Sequence, residues 1–103
     1  MTSAELQFLS RRWTHSFEED SPTELVYRPS DFPFNRSRGR NQFDLRSTGE
    51  VVDISPGRDD VPEAAIGAWK VENDRLVIKF KDGSQVIYAV KEVKSDKLVI
   101  KKA

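Results

Sequence analysis

His15 is the one histidine of this chain and stands in Trp13-Thr14-His15-Ser16-Phe17, an imidazole spaced between two aromatic side chains. Such a group could be the polar contact of a pocket or hold a haem iron axially, or it could be a hydrogen-bonded residue at a barrel mouth. One imidazole without sequence partners defines neither a metal site nor a triad. Serines and carboxylates are present, but no G-x-S-x-G or comparable context activates a nucleophile. With no cysteine there is no thiolate, no disulfide framework and no cysteine-based zinc or iron–sulfur centre. Neither an enzyme nor a cofactor is expected.

A second constellation is the run Arg28-Pro29-Ser30-Asp31-Phe32-Pro33-Phe34-Asn35-Arg36-Ser37-Arg38-Gly39-Arg40. In an extended loop, Arg36, Arg38 and Arg40 would project to one side, where guanidinium forks could grip a carboxylate or phosphate while Phe32 and Phe34 stack. The competing reading is a loop whose phenylalanines fold back on the barrel while its arginines pair with Glu18, Glu19 and Asp20. A third group consists of Trp13, His15, Phe43, Trp69 and Tyr88, large side chains that could line a pocket for a flat apolar molecule, with the tyrosine hydroxyl orienting it. Such side chains equally fill the interior of a small barrel.

The elements that would position these groups are strands. Residues 67–101 alternate apolar and polar positions, interrupted by Asn73-Asp74, Asp82-Gly83 and Ser95-Asp96 at hairpin spacing, which predicts four antiparallel strands. Upstream, Thr2-Ser3-Ala4-Glu5 has the form of a capping box and predicts a short helix over residues 3–10. Strands follow at 13–17, 24–27, 42–46 and 50–55, with turns at 18–22 and 47–49 and loops at 28–41 and 56–62. The in-phase sets are Trp13/Phe17, Phe43/Leu45, Val52/Ile54, Trp69/Val71, Leu76/Ile78/Phe80, Val86/Tyr88/Val90 and Leu98/Ile100. About eight strands in an all-β, up-and-down antiparallel meander hide this apolar face most simply by closing into a barrel, with an open sheet or sandwich as the alternative.

A chain of 103 residues supports one domain with a modest core, taken as residues 1–103. Seventeen basic and seventeen acidic side chains cancel, so no overall field recruits nucleic acid or an anionic membrane. No stretch has the length of a signal core or a membrane span. The expectation is a monomeric cytoplasmic protein with no nucleic-acid or membrane partner.

Taken together, these motifs resemble the small bacterial lipocalin-like domains of the calycin type. The resemblance covers nearly the whole chain. It runs through the short helix leading to Trp13, the F-x-L/F-x-x-x-G segment at 43–49, G-x-W-x-V at 67–71, L-x-I-x-F at 76–80, Y-x-V at 88–90 and D-x-L-x-I at 96–100. Two positions depart from lipocalins proper. Arg11 stands where glycine is usual, and no late arginine is present to pack over the first tryptophan. What the resemblance implies is a β-barrel that often binds a small apolar or amphipathic molecule. The alternative is a filled barrel contacting a protein partner through Arg28, Phe32, Phe34, Arg36, Arg38 and Arg40.

Overall fold

A computed structural model describes residues 3–34, 40–56 and 62–102; Thr2, the expected helix cap, lies outside them, as do residues 57–61 of the second loop. A short helix, α1 (Ser3–Leu9), leads into β1 (Arg12–His15), a 3-10 turn (Phe17–Glu19), β2 (Leu25–Pro29), β3 (Gln42–Leu45), β4 (Glu50–Pro56), β5 (Pro62–Glu72), β6 (Arg75–Phe80), β7 (Gln85–Val93) and β8 (Leu98–Lys102). The eight strands close into an antiparallel barrel, so no edge is left unpaired. None of the helices described is long and apolar enough to cross a membrane.

The turn chemistry read from the sequence is present. Asn73 and Asp74 take positive φ of 50° and 62°, the pair of left-handed residues that a two-residue hairpin needs to follow strand twist. Gly83, at φ +95°, closes β6 to β7 by donating its N–H to Phe80 O. Gly67 serves a different purpose. A Cβ there would lie 2.9 Å from Phe80 Cα and closer still to the Lys79 carbonyl oxygen, so β5 can approach β6 only without a side chain.

The meander is consecutive from β3 to β8, but the ring order is β1-β2-β8-β7-β6-β5-β4-β3, which places β1 between β2 and β3. Because β2 and β3 are both antiparallel to β1, the segment joining them must travel from one end of the barrel to the other. Of its described residues, Arg40 bonds His15 O and sits 4.7 Å from the Phe34 ring centroid, and Thr14, which points outward from β1, is buried.

Two expectations about phase are corrected. Alternation does not continue to Phe17: β1 ends at His15, Ser16 opens the 3-10 turn by accepting the Glu19 N–H, and Phe17 is left 49% exposed on the outer wall. In β4 the inward residues are Val51 and Asp53, since Leu45 pairs with Val51 and Phe43 with Asp53, whereas Val52 and Ile54 stand opposite Asp44 and Gln42. The cause is the turn. Arg46 N–H bonds to Glu50 O and Gly49 N–H to Arg46 O with Gly49 at φ +93°, which fixes a register one residue away from that of the apolar pattern.

α1 closes one end of the barrel, where Leu9 is fully buried and the Trp13 indole N–H donates to Leu9 O at 3.0 Å. Arg11 supplies the guanidinium that the late strands lack. It sits 5.6 Å from the Trp13 ring centroid and donates from Nη1 to Ser95 O at 2.5 Å, tying the helix to the β7–β8 turn. Leu9, Trp13, Leu45, Val51, Leu76 and Leu98, all fully buried, pack this helix half.

Candidate functional site

The other half of the barrel is built differently. His15 stacks on Tyr27 with ring centroids 5.0 Å apart, and Tyr27 tilts against Phe43 at 4.6 Å, giving a continuous aromatic wall across β1, β2 and β3. Strand pairing explains the sequence of rings: His15 faces Tyr27, and Phe43 faces Trp13 on one side and Asp53 on the other. Leu25, Asp53, Phe80 and Tyr88 share the inward face but keep part of their surface accessible.

Two carboxylates bear on this wall, and they differ. Asp20 is fully engaged: Oδ2 lies 2.8 Å from His15 Nε2 and Oδ1 accepts the Val26 N–H at 2.9 Å, so it ties the top of β1 to β2. Because an ionised carboxylate only accepts, the pairing assigns a proton to Nε2. Asp53 is not engaged. It is half-buried, and burial pushes its carboxyl above the ordinary aspartate value, with no basic neighbour among the described residues to offset it. Lys102 stands opposite Tyr88 at the end of β8 but is exposed and does not contribute at Asp53.

The phenols respond to the same surroundings. Burial raises Tyr27 well above the usual phenol range, with Tyr88, Asp53 and Asp20 adding to the shift, and burial followed by Asp53 raises Tyr88. Both stay neutral at any working pH, able to donate or accept. Among the described residues neither phenol nor the Asp53 carboxylate has a hydrogen-bond partner. These oxygens are not sealed in, because Thr14 Oγ1 is the only fully enclosed side-chain polar atom without a partner among the described residues. The site is therefore an aromatic inner wall carrying three polar groups without hydrogen-bond partners among the described residues.

The structure divides the residues singled out from sequence. His15, Phe43 and Tyr88 come together in this half. Trp13 and Trp69 belong to the helix half, Trp13 as the plug over Leu9 and Trp69 donating its indole N–H to Arg46 O at 2.8 Å. Tyr27 and Asp53 were missed. Tyr27 sits in Leu25-Val26-Tyr27, apolar on both faces, and Asp53 was hidden by the phase of β4; the signal that could have revealed it was Gly49 setting the turn.

The arginine-rich loop is committed to the barrel wall as far as it is described. Arg28 holds Glu19 through two bonds of 2.8 and 2.6 Å and lies 4.8 Å from the Phe32 ring centroid. Arg40 grips Glu18 at 2.7 and 2.6 Å, reaches His15 O at 3.1 Å and is sandwiched at 4.7 Å between Phe17 and Phe34. Its side chain is only 7% exposed. These forks hold both glutamates down at about 2. Arg36 and Arg38 lie outside the described residues.

No group of three or more His, Asp or Glu side chains among the described residues is placed to hold a metal ion. On the outer wall, a groove lined by Glu19, Glu24, Val26, Lys91, Glu92 and Lys97 has a charged rim whose members pair locally, Glu92 with Lys94 and Lys97 and Glu19 with Arg28. Comparison with protein-family models, with curated proteins and with solved structures finds no match for this chain, so the reading of the site rests on its own geometry.

Proposed function

We propose that the protein is a small binding barrel of lipocalin-like type that takes an amphipathic molecule in the half of its interior away from α1. The observation that carries this reading is the coexistence, on one apolar inner wall, of Asp53 and the Tyr27 and Tyr88 hydroxyls, accessible and without hydrogen-bond partners among the described residues. Preformed sites of this kind are mostly apolar with a few convergent polar groups that fix orientation. The apolar part of a ligand would lie on Phe43, Phe80 and Leu25, and its polar part would meet the carboxylate and phenols. The Asp20–His15 pair is spent on tying the top of β1 to β2, and the reading is non-enzymatic.

The alternative, a protein-interaction surface on the 28–41 loop, is weakened by the engagement of Arg28, Arg40, Phe32 and Phe34 with the barrel's own residues. The test is a panel of neutral amphipathic probes, such as phenethyl alcohol and hexanol, titrated while aromatic-ring NMR resonances are followed. Saturable shifts of the Tyr27 and Tyr88 rings support the reading. A panel that moves neither ring defeats it.

A further inference from the structure

Asp53 also indicates which ligands the cleft prefers. An ionised carboxylate facing an aromatic interior is costly when unpaired, and the environment of Asp53 offers neither a cation nor a hydrogen-bond donor that bonds to it among the described residues. Contrast with Asp20 makes the point: beside the same Tyr27 ring, that carboxylate has an imidazole N–H and a backbone N–H. The fold thus satisfies one acid and leaves the other open. The open one stands opposite Phe43 on the neighbouring strand, whose ring packs on Tyr27, and its charge is felt by the Tyr27 and Tyr88 phenols; aromatic rings attract cations through their quadrupoles, and phenolic oxygens can accept from an ammonium.

We infer that the cleft selects small organic amines, with the ammonium head held by Asp53 and the Tyr27 and Tyr88 side chains and the hydrocarbon or aromatic body laid on Phe43 and Phe80. This rests on the binding role proposed above and gives it a substrate class. A neutral alcohol could donate to the carboxylate but would leave its charge uncompensated. An organic acid would set a further negative charge beside Asp53 and Asp20, and is disfavoured on that ground. The ammonium alone supplies both the donor and the countercharge, as a charge-assisted hydrogen bond.

The experiment is isothermal titration of the wild-type protein with three probes of matched body: phenethylamine, phenethyl alcohol and 3-phenylpropionate. The amine is expected to bind about tenfold or more tighter than the alcohol, the usual value of a charge-assisted hydrogen bond, and the acid weakest. In Asp53→Asn, whose fold is checked by its amide NMR spectrum, the advantage of the amine should collapse to within about twofold of the alcohol. Equal binding of amine and alcohol by the wild type would overturn the inference while leaving the binding role intact. No binding of any probe would remove both, and an amine preference surviving in Asp53→Asn would place recognition elsewhere and overturn the assignment to Asp53. Should Asp53→Asn not fold, the wild-type ranking of the three probes decides.

Discussion

Asp53 lies directly across from Phe43 on the neighbouring strand, and the two side chains enter the barrel together. An acid placed beside a phenyl ring, without a partner among the described residues, is an expensive arrangement for a small domain with little stability to spare. That expense makes its consequences measurable without knowledge of any ligand.

Replacing Asp53 with Asn should stabilise the empty protein. Removing a half-buried unpaired charge should yield up to about 1 kcal/mol, a Tm rise of about 4–8 °C in a domain of this size. The effect depends on pH with a definite sign. Because burial raises the folded carboxyl above its ordinary value of 3.8, the native state favours the protonated form. Wild-type stability from this group is fully present below the unfolded value and is lost as pH rises through the folded one. Thermal melts of the two proteins should therefore converge in acid and separate toward neutral pH; a constant gap would speak against this account.

Glu18 and Glu19 have the opposite sign. Arg40 and Arg28 depress them from 4.5 to about 2, so what they contribute is present above about 4.5 and lost as pH falls toward about 2. Both carboxylates are largely exposed and screened by salt, which keeps the contribution modest. The double variant Glu18→Gln/Glu19→Gln should flatten the acid limb of a stability profile between these values, most visibly at low ionic strength. A limb identical to wild type would show that the pairs contribute nothing.

Arg40 ties the described end of the 28–41 segment to the barrel wall. Its guanidinium bonds Glu18 and His15 O between two phenyl rings, a planar, bidentate role that lysine cannot fill. Arg40→Lys should cost about 2 kcal/mol in urea unfolding, close to the loss in Arg40→Ala. Lysine at near wild-type stability would reduce the contact to simple charge pairing.

Gly67→Ala should be among the most damaging single changes, because its Cβ would meet the backbone of β6 at Phe80, 2.9 Å away, with no side chain free to yield. A loss of about 2–3 kcal/mol is expected by the cost of overpacking. Unfolding in urea measures it, and a neutral result would mean that β5 and β6 can separate there.

Much of this barrel was legible where local chemistry decides structure. Asn73-Asp74 and Asp82-Gly83 mark their hairpins because only a few residue types adopt positive φ. Legibility failed where both faces of a strand are apolar. Val51-Val52-Asp53-Ile54 offers two phases, and a hydrogen-bonded turn, not hydrophobicity, chose between them. The placement of β1 between β2 and β3 has no local signature, since it depends on which strands meet after the chain has crossed the barrel. The aromatic cleft could be half seen, through His15, Phe43 and Tyr88. Its polar centre, Asp53 with Tyr27, could not.

The most direct test of a binding cleft in the half opposite α1 is a set of intermolecular NOEs from a bound probe such as phenethyl alcohol to the protein's aromatic protons. Contacts are expected to the rings of Tyr27, Phe43 and Tyr88. None is expected to the indoles of Trp13 and Trp69, whose N–H groups are held by Leu9 O and Arg46 O in the helix half. Contacts confined to the outer groove around Val26 and Val99, or to the two indoles, would contradict it.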